Sequence, residues 1–318
     1  MITKSKGLEK ELWTIEAAGQ KAQILPEVGG ELIALWIDGI QVFHTVDSLE
    51  GVKAHPTSYG LPLLFPPNRI DGGHFTFAGK VYQFAINEPA TGNSLHGFLH
   101  KEPWEIEALK DEEDEVVVRV FYNAEPGWAH YDVYPVTFLA EVIYTLNKDG
   151  LFQEVRVTNT GSEVMPYGLG WHTAFRITPT TVMNISVGNR VEMSERILPT
   201  GNLLPLSADE QKLVGEGLDP LYADMDDHFT AKPYDCGFNG AVLTHKEEGT
   251  RVTYQVDPFY KHWMVWNSNQ EGSFVCIEPQ NWRVNAPNLP IPAEESGMAC
   301  IEAGETLSVK ACVKAEKI

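Results

Sequence analysis

Basic side chains are scarce in this sequence: 24 Lys and Arg stand against 44 Asp and Glu, a formal charge of −20 at pH 7. A surface of that sign repels phosphate backbones and anionic lipid headgroups, so no nucleic-acid partner and no membrane partner is expected. Solvation of a folded surface accounts for the charge. No apolar run approaches the roughly 18 residues that span a bilayer. Cysteine is rare too: Cys236, Cys276, Cys300 and Cys312 form no CxxC pair and have no metal-type spacing with histidine. Free, mostly buried thiols in a reducing cytoplasm are the expectation. Basic residues in the first ten positions are followed by no apolar h-region, so no secretory leader is expected.

Several catalytic signatures are also missing. There is no Walker-type phosphate loop, no GxSxG elbow and no HExxH. The segment Gly168-Leu169-Gly170-Trp171-His172-Thr173 lacks the third glycine of a dinucleotide loop. His96 and His100 have a spacing that suits a metal only on a helical face, which Gly97 and Pro103 oppose.

What the chain does have is apolar material, 43% hydrophobic and 10% aromatic over 318 residues, enough for a large core. Its dominant hydrophobic period is two. Trp104–Leu109 alternates, Lys110–Asp114 must turn, and Val116–Tyr122 returns as a β-branched strand. Val136–Leu146 and Leu151–Asn159 flank a turn at Asn147-Lys148-Asp149-Gly150, where Gly150 supplies positive φ. Ile24–Ile33 reads as strand, glycine turn, strand, and Phe75–Tyr82 as a hairpin about Gly79-Lys80. Thr306–Lys314 reads as a strand closing a sheet edge, and Ala208–Val214 as two helical turns. Many short strands with little helix predict an all-β fold, a large antiparallel β-sandwich or barrel. No Pro/Ser/Gly-rich linker breaks the pattern, so residues 1–318 are expected to form a single domain.

Unusual polar residues gather in three segments: Leu64–Gly73 with Asn93–Phe98, Tyr167–Phe175, and Cys276–Arg283. Each sets ionisable or amide groups among aromatics, Gly and Pro, a mixture that suits a concave site with apolar walls. Glu278 follows the apolar strand Phe274–Ile277, so it is either a desolvated carboxyl of raised pKa or a structural Glu satisfied by Arg283 or backbone amides. His172 reads as a titrating group or as a core histidine bonded to a carbonyl. Arg69 could equally form a surface salt bridge, Trp171 and Trp282 could simply pack, and Asp226-Asp227 could lie in a solvated acidic loop.

Together these segments resemble the aldose 1-epimerases (mutarotases) of the galactose mutarotase-like superfamily. Asn68-Arg69-Ile70 is similar to the family's Asn-Arg sugar-binding step, and His96-Gly97 with Trp104 to its His-Gly segment. Gly170–Phe175 resembles the general-acid histidine segment, Met225–Phe229 the sugar-binding aspartate loop, and Ile277-Glu278-Pro279 the general-base segment. They occur in family order from residue 68 to 278. The chain departs from the family in reading Ala174-Phe175-Arg176-Ile177 after the acid. It also has His100 where relatives acting on hexose 6-phosphates carry Arg.

The resemblance implies a large β-sandwich, called a supersandwich, and a small-molecule aldose substrate, with no metal and no organic cofactor. It implies Glu278 as general base and His172 as general acid in opening a hemiacetal ring. His96, Asn68, Arg69 and Asp226 would hold the sugar, with Trp171 under its ring; Asp226 is preferred to Asp227 because it lies three residues before Phe229. The competing readings are a hexose-6-phosphate mutarotase, a two-carboxylate glycosidase using Glu278 and Asp226, and a non-catalytic carbohydrate-binding sandwich.

Overall fold

A computed structural model describes residues 1–7, 10–46, 48–268 and 272–318. Strand makes up 51% of it and helix 7%, as the period-two pattern predicts. One eight-stranded antiparallel sheet is built from the hairpins read in the sequence. Glu105–Asp111 pairs with Glu115–Ala124, which pairs with Phe138–Asn147, which pairs with Gly150–Asn159. Gly150 has φ +122° and pairs with Asn147, so the loop is Lys148-Asp149 and the glycine follows it.

The C-terminal strand Thr306–Lys317 is not at an edge. It lies inside this sheet, hydrogen-bonded to Gly150–Asn159 on one side and Thr250–Val256 on the other. Alternation is the same for edge and central strands of a half-buried sheet, so the sequence pattern could not distinguish them. The turn of the hairpin His74–Gln83 falls at Ala78-Gly79, one residue earlier than expected. In place of two α-turns, Glu210–Val214 forms a 3₁₀ segment.

The second eight-stranded sheet runs, by neighbour, through Pro199–Leu204, Val187–Met193, Asp226–Ala231, His262–Trp266, Phe274–Gln280, Gly170–Trp171 and Leu63–Leu64, with Thr173–Arg176 also paired to Phe274–Gln280. Val118, Val120, Ala140 and Val142 of the first sheet share one buried cluster with Trp263, Val265, Val275 and Ile277 of the second. The core therefore lies between these two sheets, as in a sandwich, and it draws on residues from Trp13 to Val313. Burying many β-branched and aromatic side chains, each contributing about 1.5–3 kcal/mol, holds the layers together.

Strand alternation then decides where the chemistry goes. Ile277 and Val275 point into the sandwich core, so Glu278 and Cys276 must project from the opposite face of the same strand. Among the described residues no helix is long and apolar enough to cross a membrane. All four cysteines are free, but only Cys276 is fully buried; Cys236 and Cys300 are exposed, contrary to the expectation of mostly buried thiols.

Candidate active site

On that outer face a cavity of about 190 Å³ is lined by Thr57, Asn68, Arg69, Leu95, His96, His172, Asp226, Trp266 and Glu278. Register explains the clustering. Glu278 pairs with Met264, Cys276 with Trp266 and Asp226 with Trp266, so neighbouring strands present these side chains in adjoining rows. His172 lies between two short strands that pair with Phe274–Gln280, next to Thr173, which is opposite Ile277. The other wall comes from Arg69–Asp71, which pairs with Asn93–Leu95 and so sets His96 beside Arg69.

The strand-leaving step at His96-Gly97 is tight. Both residues have positive φ, +65° and +59°. A Cβ on Gly97 would lie 2.1 Å from the Phe65 carbonyl oxygen, so only glycine fits there.

His172 Nε2 lies 3.1 Å from Glu278 Oε1, with both residues nearly buried yet facing the cavity. Burial pushes the Glu278 carboxyl well above the usual range; nearby Asp226 adds to this and Arg69 opposes it. Burial pushes His172 down to about 3, against the pull of backbone carbonyls. Both shifts favour the uncharged form of each partner, so a proton shared by the two rests with Glu278 in preference to His172. Arg283, the structural partner considered for Glu278, sits near Glu295 instead.

Arg69 is buried in place of lying in a surface ion pair. Its Nε donates to both oxygens of Glu88 at 3.1 and 2.9 Å, and its Nη2 donates to Glu88 Oε1 at 2.8 Å and to Asp226 Oδ2 at 3.1 Å. Burial works against the guanidinium's charge, but these carboxylates outweigh it and raise its pKa. Asn68, buried and left-handed at φ +57°, accepts from the Arg69 backbone N–H through Oδ1. The His96 ring stands edge-on to His172, centroids 5.1 Å apart, and packing lowers its pKa well below the ordinary value.

The acidic pair divides by alternation. Asp226 faces the cavity, whereas Asp227 points the other way, is bonded to Arg190, and has its pKa raised to about 6 by burial.

Trp171 is a correction. It is buried in the core with Nε1 donating to Tyr260 Oη at 3.0 Å, and it is not among the cavity-lining residues. His172 and Trp171 are adjacent in an extended segment, so when the imidazole faces the cavity the indole must face the core. The aromatic wall is Trp266 instead, its ring 5.9 Å from that of His172. Trp266, Thr57 and Glu88 escaped sequence reasoning, and Leu95 was read only as part of the segment Asn93–Phe98. Trp266 stands at the end of an apolar strand and could have been found from its period-two position; Glu88 sits in a loop with no such signal. His96 and His100 are in no helix that would give a shared metal face: His100 is in a one-turn 3₁₀ segment and its ring centroid is 6.5 Å from that of His96.

Comparison with known proteins gives a consistent result. Residues 11–312 match the family model described as aldose 1-epimerase. A galactose mutarotase-like protein from Clostridium acetobutylicum superposes with a TM-score of 0.96 at 29% identity, over 100% of this chain and 99% of that one. Galactose mutarotase of Bos taurus is 26% identical over 77% of each chain. The uncharacterized protein YihR of Escherichia coli (strain K12) is 30% identical over 52% of this chain, which spans about half (51%) of that relative's length.

Proposed function

This chain belongs to the aldose 1-epimerase family, and from that premise we propose that it interconverts the α and β anomers of a free hexose or related aldose. The observation that carries the reading is the contact between His172 and Glu278 at 3.1 Å in the cavity floor. Opening a cyclic hemiacetal requires removing a proton from the anomeric hydroxyl and delivering one to the ring oxygen. Those two oxygens are bonded to the same carbon. An acid and a base that must reach both therefore have to be neighbours, and a pair sharing one proton meets that demand.

Once the shared proton has passed from Glu278 to His172 across their 3.1 Å contact, Glu278 acts as base toward the anomeric hydroxyl while His172 protonates the ring oxygen. Rotation about C1–C2 and reclosure, with the roles exchanged, deliver either anomer. Each group contributes roughly 10²–10⁴ in rate. His96 donates near the ring oxygen, Asn68, Arg69 and Asp226 engage ring hydroxyls, and Trp266 packs on a ring face. The volume of about 190 Å³ is below the roughly 300–1,000 Å³ typical of drug-sized pockets, which favours a single sugar ring over an oligosaccharide.

Two features favour a free sugar over a 6-phosphate. Among the described residues lining the cavity, Arg69 is the one permanent cation. Its charge is already met by Glu88 and Asp226. A glycosidase mechanism would set two carboxylates around the scissile bond, whereas the group touching Glu278 is an imidazole.

The test is anomer-resolved NMR exchange or polarimetry on a panel of free and 6-phosphorylated aldoses, with aryl glycosides as a control. Catalysed exchange of a free aldose without phenol release supports the reading; phenol release, or sugar binding without faster exchange, refutes it. The kcat/KM profile should be bell-shaped. It falls at acid pH when the pair takes a second proton, and at alkaline pH when Glu278, its pKa raised, loses the shared one.

A further inference from the structure

Cys276 has no part in that acid–base scheme, yet it is two residues before Glu278 on the same face of the same strand. One potential ligand atom from each of His172, Cys276 and Glu278 lies within 4.8 Å of the others, and all three residues are buried. We infer that these three side chains form a binding site for a thiophilic divalent cation, Zn²⁺ being the type, and that its occupancy switches off the epimerase.

A thiolate, an imidazole and a carboxylate are the ligand types zinc takes, with bonds of roughly 2.0–2.3 Å that put tetrahedral neighbours about 3.3–3.6 Å apart. His172 and Glu278 already meet at 3.1 Å, so closing the set asks mainly for a rotation of the Cys276 side chain, whose Sγ rests 3.9 Å from the Thr57 carbonyl oxygen. The fourth position opens on the cavity that His172, Glu278 and Thr57 line, where water or a sugar hydroxyl can complete the shell.

Charge balances. The thiol and the carboxyl each release a proton to solvent as their S–M and O–M bonds form, so a dication replaces two protons and the buried set stays neutral. Arg69 across the cavity offers little repulsion, because Glu88 and Asp226 already neutralise it. Coordination uses the imidazole and carboxylate lone pairs that proton transfer needs. The inhibitory half of this inference thus rests on the acid–base roles proposed for His172 and Glu278; the binding half does not.

Because Cys236 and Cys300 are exposed, the experiment uses the full chain with both changed to Ser. The metal-stripped protein is titrated with Co²⁺ and then with Zn²⁺, and mutarotation is followed in parallel. One equivalent of Co²⁺ should produce a thiolate-to-cobalt charge-transfer band that Zn²⁺ abolishes. Cys276→Ala, with Cys276→Ser as a second variant should the first fold poorly, should lack the band and need at least tenfold more Zn²⁺ for equal inhibition. No band in the Cys276-containing protein, or an equal band in both variants, overturns the site. A band with turnover indifferent to saturating Zn²⁺ overturns the inhibition. A band in a protein that turns over no aldose upholds the site while refuting the mutarotase reading.

Discussion

Glu88 offers a sharp test, because it bears on the proposed sugar site only through Arg69 and does not itself line the cavity. Its carboxylate takes three of the four hydrogen bonds that the Arg69 guanidinium donates to side chains. It also accepts from Thr91. Glu88→Gln keeps the shape but turns an amide N–H toward the guanidinium, so at least one charge-assisted bond is lost. Such a bond is typically worth about 1.5–3 kcal/mol, and breaking a fully buried ion pair costs about 3–5 kcal/mol. The side chain of Glu88 is 20% exposed and that of Arg69 8%, so solvent relieves part of the loss and about 2 kcal/mol of stability is expected. Arg69 would then lean on Asp226 alone and pull it away from the sugar. KM for the aldose should rise about tenfold, which is ~1.4 kcal/mol, with kcat nearly unchanged because His172 and Glu278 are untouched.

The sign with pH is fixed by the direction of the shift. Burial alone would raise the Glu88 pKa, but Arg69 and Thr91 outweigh it and lower it. The pair's contribution is therefore full above the unfolded carboxyl value of about 4.3 and is lost as pH falls through the lower folded value. Urea unfolding of both proteins at neutral pH and again in that acid range, with progress curves by polarimetry, measures all three quantities. Equal unfolding midpoints at neutral pH, or a loss of kcat with KM unchanged, would refute the reasoning.

Further outcomes follow from single features. Glu278→Gln should lower kcat by roughly 10²–10⁴ with sugar affinity nearly kept, as isothermal titration and NMR exchange will report; wild-type-like turnover would remove Glu278 from the mechanism, and His172→Asn makes the same demand of the acid. Glu31 is buried with neither carboxyl oxygen hydrogen-bonded, and burial raises its pKa well above the ordinary value despite an opposing contact with the Leu61 backbone. Its contribution is intact below pH ~4.3 and is lost as pH rises toward the folded pKa, at about 1.4 kcal/mol per pH unit. Glu31→Gln should therefore gain on wild type in urea unfolding from pH 5 to pH 7, and a gap that stays constant would disprove this. Gly97→Ala forces a Cβ to 2.1 Å from a carbonyl oxygen at φ +59°, so a loss of at least about 2 kcal/mol is expected, with an unchanged Tm as the contrary result.

Much of the fold was open to reading along the chain because its hairpins are local. Turn residues such as Lys148-Asp149-Gly150 and the alternation on either side of them are properties of short stretches, and both strands of that hairpin appear where expected. The catalytic candidates were also legible as types. A carboxyl ending an apolar strand and a histidine among Gly and Trp are unusual anywhere, and Glu278 and His172 do meet. Trp171 shows the limit. Its motif pointed to the sugar, but which of two adjacent residues faces outward depends on which face of the sheet the core occupies. Once His172 faces the cavity the indole is committed to the core beside Tyr260.

The sequence by itself determined the strand period, the turns and the kinds of acid, base and amide available for chemistry, since each depends on neighbours a few residues away. Only the tertiary structure decided that the C-terminal strand is central, that Asp226 faces the cavity and Asp227 does not, that Glu88 holds Arg69, and that Cys276 stands beside His172 and Glu278. Glu88 comes from a loop that no strand period reads; for the other three the physical reason is common. Pairing between strands far apart in the chain is chosen by burial of whole faces, and a side chain's neighbours across a sheet leave no trace in the residues beside it.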